Sequence, residues 1–499
     1  MLVIISDLHL TDGTSGSTIS PGAFDLFAGE LRDMAEAASW RVGGRYRPVE
    51  RVDLLLLGDV LDVIRSTRWA ETKVRPWDDA QNPELIEMVT DITREILRNN
   101  ATSLATLKYL TDPTQFTVPP ADNAGRPAHD AKGYPVPVAI HYLVGNHDWF
   151  FHLRGPAYNT LRNEVVQAIG LSNRADAPFP HDPAESDEVL EILRRHKVLA
   201  RHGDIFDPFN FEGDRDASSL GDVIVIELLN RFAVEVDNRL GDDLPPSTLM
   251  GLRELDNVRP LLLVPVWIDG LLERTCPVPQ LRKEVKAIWD ELAEEFLAQP
   301  FVRSRDSWNP NDLVDNLERA LKFSKSLSIG WAAKIVSWLQ ELRGQSESSF
   351  YPHALTEQDF RNRRAKYVVY GHTHGVEAVP LDASHSEGYV LNQMYFNSGT
   401  WRRTLRQTVL APNEHEFIPA DVMSYLSFFQ GDERGGRPYE TWSGTLGVAP
   451  AEVPLLRVDP GRPTLARGPH VSPSGLHAFA AQHAILPRTG RIIPTRRVR

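Results

Sequence analysis

Short apolar runs recur along this chain, and each is followed closely by Asp, Gly or His. The runs are residues 2–5, 54–57, 138–144, 198–201 and 367–370. Their length and their content of Val, Ile, Leu and Tyr predict buried strands. Sheets built with crossover connections place polar groups at the carboxyl ends of their strands. We therefore expect five strands that deliver polar side chains to one rim of a sheet.

The segments between these runs have helical spacing. Their apolar positions include Phe24, Phe27, Leu31 and Met34, and then Leu85, Met88, Val89, Ile92 and Ile96. Alternation of strands with amphipathic helices predicts a layered α/β fold, in which β-sheets are flanked by helices.

The span 214–350 interrupts this alternation. Two sets of apolar residues there follow helical spacing, namely Val285, Ile288, Trp289, Leu292 and Phe296, and Trp331, Ile335, Trp338, Leu339 and Leu342. These sets predict amphipathic helices that form a large helical insertion. We expect the insertion to be mainly self-packed, although a lid over an acyl chain or a membrane surface is the alternative. The predicted organisation is a core in two parts (1–213 and 351–410), an insertion between them (214–350), and a C-terminal extension with a Pro- and Arg-rich tail (411–499).

Charge and cysteine content restrict the function. The formal net charge of -13 argues against broad binding to nucleic-acid phosphates. Cys276 is the single cysteine, so no intrachain disulfide can form and a reducing cytoplasm is the expected compartment. The chain starts without a basic leader. The longest apolar stretch, Leu261 to Ile268, has eight residues, which is too short to span a bilayer, so peripheral contact is the membrane association left open.

Five polar clusters after the apolar runs carry the candidate chemistry. They are Asp7-Leu8-His9, Gly58-Asp59-Val60-Leu61-Asp62, Gly145-Asn146-His147-Asp148, His202-Gly203-Asp204 and Gly371-His372-Thr373-His374. Carboxylate, amide and imidazole ligands in this mixture suit a pair of divalent first-row metals better than a thiolate zinc site. Side chains two apart on a strand share a face, so Asp7 and His9 can converge on one ion.

In this order, the five clusters resemble the calcineurin-like metallophosphoesterase superfamily. The resemblance covers residues 2 to about 404, apart from the insertion. It implies a layered fold of sheets flanked by helices, and a hydrolase of phosphoester or pyrophosphate bonds that uses a metal-bound hydroxide as nucleophile. Two divalent ions are implied, with Mn²⁺ as the first expectation and Fe²⁺ or Zn²⁺ as alternatives.

The resemblance also assigns the ligands. Asp7, His9 and His374 would bind metal one, and Asp59 would bridge both ions. Metal two would take Asn146, His202 and His372.

Other residues of the clusters have implied roles beside the metals. His147 would protonate the leaving oxygen, and Asp62 would hydrogen-bond His147 and orient it. Asp148 and Asp204 would support the ligands without contacting the metals themselves. The turn at 397–400 resembles one that follows the last His cluster in many members, and we expect it to serve packing.

Three hypotheses about the function remain, and none of them fixes the substrate. The segment 202–207 resembles the His-Gly-Asp-x-x-Asp stretch of UDP-2,3-diacylglucosamine pyrophosphohydrolases, which implies a diphosphate substrate with acyl chains. The expected partner is therefore a phosphorylated small-molecule or lipid-linked substrate. Those enzymes carry Gly-Asn-Arg-Asp where this chain has Gly-Asn-His-Asp, and their insertion is shorter. A phosphodiesterase or nuclease acting on nucleotides or nucleic acid is the second hypothesis, and the acidic balance argues mildly against a DNA exonuclease. The third hypothesis is a catalytically silent protein-interaction scaffold of the same fold. The sequence leaves the oligomeric state open.

Overall fold

The computed structural model describes residues 1–259, 263–306, 349–386, 389–410 and 415–448, together with 314, 315, 317–319 and 321. Met1–Val448 form one compact unit. The helix predicted around Trp331 and the Arg-rich tail lie outside the described residues.

The strands fall into two main sheets and one small hairpin. In chain order they are β1 (Leu2–Ile5), β2 (Val52–Leu57), β3 (Thr117–Val118), β4 (Tyr134–Pro135), β5 (Val138–Leu143), β6 (Val198–Arg201), β7 (Val258–Arg259), β8 (Tyr367–Tyr370), β9 (Val376–Ser386), β10 (Tyr389–Ser398), β11 (Arg402–Gln407), β12 (Phe417–Phe428) and β13 (Tyr439–Gly447). The five strands expected from the apolar runs are β1, β2, β5, β6 and β8, so those predictions are confirmed.

Helices lie in the connections β1–β2, β2–β3, β5–β6, β6–β7 and β7–β8. In chain order they are α1 (Pro21–Ala38), α2 (Pro83–Asn99), α3 (Ala101–Leu110), α4 (Pro156–Ile169), α5 (Asp187–His196), α6 (Leu220–Val223), α7 (Arg231–Leu240), α8 (Pro246–Arg253), α9 (Val264–Thr275), α10 (Pro279–Ala298) and α11 (Pro300–Arg303). Two short helical turns, Tyr351–Ala354 and Gln358–Arg361, precede β8. The apolar positions predicted for α1 and α2 are buried, as helical spacing requires.

The larger sheet has the order β5-β2-β1-β12-β11-β7, with β13 also paired to β12. Within it β5, β2 and β1 run parallel, so their carboxyl ends share one rim. The smaller sheet has the order β6-β8-β10-β9, in which β6, β8 and β10 are parallel and β9 is antiparallel. The single rim expected from the sequence is therefore divided between two sheets.

The two sheets pack face to face. Alternate residues of a strand point to opposite faces, so Leu2 and Ile4 enter one core while Val3 and Ile5 enter another. Leu2 and Ile4 share their core with Val369 of the smaller sheet. The opposite face of the larger sheet is covered by α1, α2 and insertion helices, and a third core lies on the outer face of the smaller sheet. This arrangement confirms a mixed α/β fold with helices flanking the sheets.

The described part of the predicted insertion is largely helical. α6 passes through a π-helical segment, Ile224–Asn230, into α7, and the apolar face of α10 is buried against the main core. The insertion also contributes β7, which pairs with β11 in the larger sheet. Among the described helices, none combines the length and apolarity needed to cross a membrane.

The larger sheet continues beyond the predicted core boundary at 410. β12 pairs with β1 through Leu2↔Phe428 and with β13 from Ala420 to Phe428. Residues 417–447, which the sequence analysis places in a C-terminal extension, are therefore part of the core sheet. The reason is the alternation in β12, where buried Met423 and Tyr425 face one core and Leu426 and Phe428 reach the other.

Candidate metal centre

The predicted ligands meet where the carboxyl ends of the two sheets adjoin. Asp7, Asp59 and Asn146 follow β1, β2 and β5 of the larger sheet, whereas His202 and His372 follow β6 and β8 of the smaller one. Hydrogen bonds join the two sets of loops, since the backbone N–H of His372 donates to Asp7 Oδ2 over 3.1 Å. Parallel pairing within each sheet and face-to-face packing between them thus bring distant parts of the chain together.

Backbone conformation singles out the same residues. Among the described residues, nine other than glycine have positive φ, and five of these are predicted ligands: Asp7, His9, Asp59, His372 and His374. Such conformations cost roughly 1–3 kcal/mol each and concentrate at functional sites. The strain indicates that the fold holds these side chains for a purpose other than stability.

Three of the side chains assigned to metal one form a compact group. His374 Nε2 lies 3.0 Å from His9 Nε2 and 3.3 Å from Asp7 Oδ1. Asp7 is completely buried, and His9 is nearly so. The ligand atoms lie within 4.8 Å of one another, which is close enough for one cation to contact all three.

The side chains assigned to metal two form an adjoining group. His202 Nε2 lies 3.2 Å from Asp59 Oδ2 and 3.2 Å from Asn146 Oδ1. His372 completes the group, because its ring lies within 4.8 Å of the ligand atoms of Asp59 and His202. All four predicted ligands of metal two are therefore present together.

Asp59 lies between the two groups. Its Oδ2 is 3.2 Å from His202 Nε2 and 3.7 Å from His9 Nε2. Its other oxygen, Oδ1, accepts the His147 backbone N–H over 2.9 Å, which fixes the carboxylate plane. This is the position that a bridging carboxylate requires.

In three of the four imidazoles, a hydrogen bond to one ring nitrogen leaves the other nitrogen free for a cation. His9 Nδ1 lies 2.6 Å from Asp62 Oδ2, and His202 Nδ1 lies 2.9 Å from the Leu57 carbonyl oxygen. A proton on Nδ1 donates to these acceptors and leaves Nε2 with a free lone pair. His372 has the reverse arrangement, because its Nε2 lies 2.9 Å from Asp207 Oδ2 and Nδ1 is then the free nitrogen.

The charge states suit cation binding. Burial lowers the pKa of His9, and burial lowers the pKa of His374 to about 4, so both rings are neutral as metal ligation requires. Burial opposes the charge on His202, but Asp59 outweighs it and raises the pKa of His202 to about 10. A proton therefore joins His202 to Asp59 when no cation is bound, and a cation would displace it.

His147 lies beside the ligands and is held by Asp62. His147 Nδ1 is 2.7 Å from Asp62 Oδ1, as the resemblance implies. Burial disfavours the imidazolium, but Asp62 and Asp59 outweigh burial and raise the pKa of His147 to about 10. Asp148, which was expected to support the ligands, accepts the backbone N–H groups of Val60 and Gly145 over 2.7 and 2.6 Å.

Two other predicted supporting elements act on the loops. Asp204 forms a bidentate pair with Arg215, with distances of 3.0 and 2.7 Å, and so holds the loop that follows His202. At the turn 397–400, Thr400 Oγ1 donates to the Asp7 carbonyl oxygen over 2.8 Å, and Asn397 Nδ2 donates to the Gly371 carbonyl oxygen over 2.8 Å. These bonds link the first ligand loop to the last one.

Close approach explains the glycines in two clusters. Gly145 lies so close to Asp59 that a β-carbon at that position would collide with the carboxylate, and would lie 2.8 Å from His202 Cδ2. Gly58 adopts φ +86°, and a β-carbon there would collide with the His202 ring. Only residues without a side chain allow the ligand loops to come together.

Sequence reasoning missed several contacts of this centre. Asp62 binds His9 as well as His147, and Asp207 supports His372. Asp256 from the insertion pairs with buried Arg402 over 2.8 Å and also contacts Arg65, whose Nε lies 3.8 Å from Asp62. The one available signal was the position of Asp207 within the His-Gly-Asp-x-x-Asp segment, since the insertion contacts have no local sequence pattern.

Comparison with known proteins does not assign a family. A scan against protein-family models gave no match to this chain, and a search of curated proteins found none similar to it.

Proposed function

We propose that this protein is a dinuclear-metal-dependent hydrolase of phosphoester or diphosphate bonds with the calcineurin-like metallophosphoesterase fold. One observation carries the proposal: two adjoining groups of carboxylate, amide and imidazole ligands share the carboxylate of Asp59. Its Oδ2 lies within 3.7 Å of an imidazole nitrogen from each group. A shared carboxylate can hold two cations about 3.5–4 Å apart, the separation found in two-metal hydrolases.

The donor set fits two divalent first-row cations. Oxygen and neutral imidazole ligands suit Mn²⁺, Fe²⁺ or Zn²⁺, and among the described residues no thiolate takes part, because Cys276 is buried elsewhere. Two such cations would activate a water and neutralise charge on the phosphoryl oxygens. The side chains of the chain then have to orient the substrate and move its protons.

His147 is the group placed to transfer a proton. Its Nδ1 is engaged by Asp62, so Nε2 is the nitrogen left to donate to a leaving oxygen. Asp62 is completely buried and stabilises the imidazolium form. The His147 backbone N–H also binds Asp59, so the acid and the bridging ligand are positioned by one another.

The 499-residue chain should catalyse metal-dependent phosphoester hydrolysis. Protein stripped with a chelator and reloaded with Mn²⁺ should hydrolyse bis-p-nitrophenyl phosphate. A panel of phosphomonoesters and nucleoside diphosphate derivatives would then define the bond that is cleaved. Asp59→Asn should abolish the activity, because an amide cannot bridge two cations as a carboxylate does.

Asp176→Asn is the matched control, since Asp176 is an exposed carboxylate paired with Arg174 over 2.8 Å. That variant should retain full activity. Two bound metals with no turnover of any phosphoester in the panel would contradict the proposal and favour the scaffold.

A further inference from the structure

A second group of metal-ligating side chains lies outside the dinuclear centre. His152 ends the helical turn Trp149–His152, His181 lies in the loop before α5, and Asp216 lies in the loop before α6. His152 Nδ1 and His181 Nε2 lie 2.7 and 2.8 Å from the same atom, Asp216 Oδ1. We propose that these three side chains bind a third divalent cation, of the zinc class, which fastens the three loops together.

The donor set and its accessibility suit such an ion. Two imidazoles and one carboxylate provide ligand atoms that all lie within 4.8 Å of one another. Zn²⁺ accepts nitrogen and oxygen ligands in tetrahedral sites, with water or another carboxylate at the fourth position. The His181 side chain is only 5% exposed, whereas that of Asp216 is 36% exposed, so the group is anchored in the fold and still open to solvent.

Glu185 supports both histidines in the manner of an outer carboxylate at a metal site. Its Oε2 lies 3.4 Å from His152 Nε2 and accepts the His181 backbone N–H over 2.9 Å. When a cation replaces the proton between His152 Nδ1 and Asp216, a proton on Nε2 that faces Glu185 leaves the Nδ1 lone pair for that cation. Carboxylates commonly fix metal-binding histidines in this way.

The third site is connected to a ligand loop of the dinuclear centre. Arg215, next to Asp216, forms the bidentate pair with Asp204 and donates to the His181 carbonyl oxygen over 3.0 Å. Asp204 follows the ligand His202 by two residues. A cation on Asp216 would therefore brace the loop that carries His202 without contacting the reacting atoms, which is a structural role.

Metal stoichiometry tests the inference. The 499-residue chain, stripped with a chelator and reloaded with Zn²⁺, should hold three ions per chain by inductively coupled plasma mass spectrometry. His181→Ala should hold two, and Asp59→Asn should lose zinc at the dinuclear centre but keep the third ion. His129→Ala removes a histidine that is 63% exposed and should change nothing.

Cobalt substitution supplies a spectroscopic readout. Four-coordinate Co²⁺ at the third site should give an intense visible d–d band that persists in Asp59→Asn and disappears in His181→Ala. Glu185→Gln keeps all three ligands, and should weaken zinc binding at this site about 10- to 100-fold. Because Glu185→Gln leaves the three ligands in place, its result does not depend on whether His181→Ala folds.

Two results would overturn the inference. One is a wild-type chain that holds only two zinc ions, both lost in Asp59→Asn. The other is a zinc content and cobalt band that His181→Ala leaves unchanged. Either result would mean that a proton alone joins His152, Asp216 and His181. Because the readouts are metal content and spectra, the third site can be upheld even if phosphoester hydrolysis is absent, and the reverse also holds.

Discussion

Asp62 gives the sharpest test of how the candidate centre works, because one carboxylate serves two histidines. Its Oδ2 lies 2.6 Å from His9 Nδ1, and its Oδ1 lies 2.7 Å from His147 Nδ1. Asp62→Asn keeps the size of the side chain but leaves one acceptor oxygen for two imidazole N–H donors. In either orientation of the amide, one histidine loses its acceptor and faces another donor.

The size of each effect follows from the histidine that is disturbed. Loss of an outer carboxylate typically weakens metal binding about 10- to 100-fold, which we expect for metal one through His9. Loss of an oriented acid costs roughly 10² to 10⁴ in rate, which we expect through His147. Asp62→Asn should therefore show both a weaker Mn²⁺ affinity by isothermal titration calorimetry and a lower kcat at saturating Mn²⁺.

A double-mutant cycle separates the two effects. His147→Ala should lower kcat and leave both metals bound, because His147 is not a ligand. Adding Asp62→Asn to His147→Ala should then weaken metal binding with little further loss of kcat, since the two residues act as one unit in proton transfer. Unchanged metal affinity in Asp62→Asn, or rate losses that multiply in the double variant, would refute this reasoning.

Three further predictions concern the support of the centre. Gly145→Ala should weaken binding of metal two at least about 10-fold by calorimetry, because its β-carbon displaces Asp59 and His202, whereas Gly22→Ala in α1, with open space around it, should not. Asp256→Ala should lower the free energy of unfolding in urea by about 3–5 kcal/mol, because it leaves buried Arg65 and Arg402 uncompensated, and Asp176→Ala on the surface should have little effect. Burial raises the pKa of Asp222, in α6, to about 7, so the folded state keeps a proton that the unfolded chain releases near pH 4. The free energy of unfolding should therefore fall as the pH rises from about 4 to about 7. In chelator-treated protein, Asp222→Asn should remove that fall and gain up to about 4 kcal/mol at pH 8, and an unchanged pH profile would contradict this prediction.

Local patterns predicted the strands that deliver the ligands and the helices that cover them. Strands at 2–5, 198–201 and 367–370 match the structure residue for residue, because a short apolar run bounded by polar residues has few other ways to be buried. The division of these strands between two sheets was not predictable from local pattern, since pairing partners are chosen by tertiary packing. For the same reason β12 and β13 were assigned to an extension, although β12 lies next to β1.

In the candidate site, too, local sequence pattern predicts which side chains take part but not how they contact one another. The polar clusters identified side chains that do lie together, but they could not show which contacts each one makes. That Asp62 serves His9 depends on ring orientation, and that Asp256 reaches Arg402 depends on where the insertion packs. His152, His181 and Asp216 belong to no motif, so only the folded chain brings them together.

The two proposed sites differ in what a cation would have to supply. At the dinuclear centre, Asp7 N–H and His9 N–H donate to the carbonyl oxygens of Gly58 and Asp59 over 3.0 and 2.9 Å. Buried backbone bonds thus hold the strained ligand loops in place, so little binding energy has to be spent on ordering them. The group around Asp216 joins three partly exposed loops, and an ion that binds only the folded chain adds its binding free energy to stability. Chelation should therefore lower Tm through both sites, and His181→Ala should remove only the part of that shift that the third site contributes.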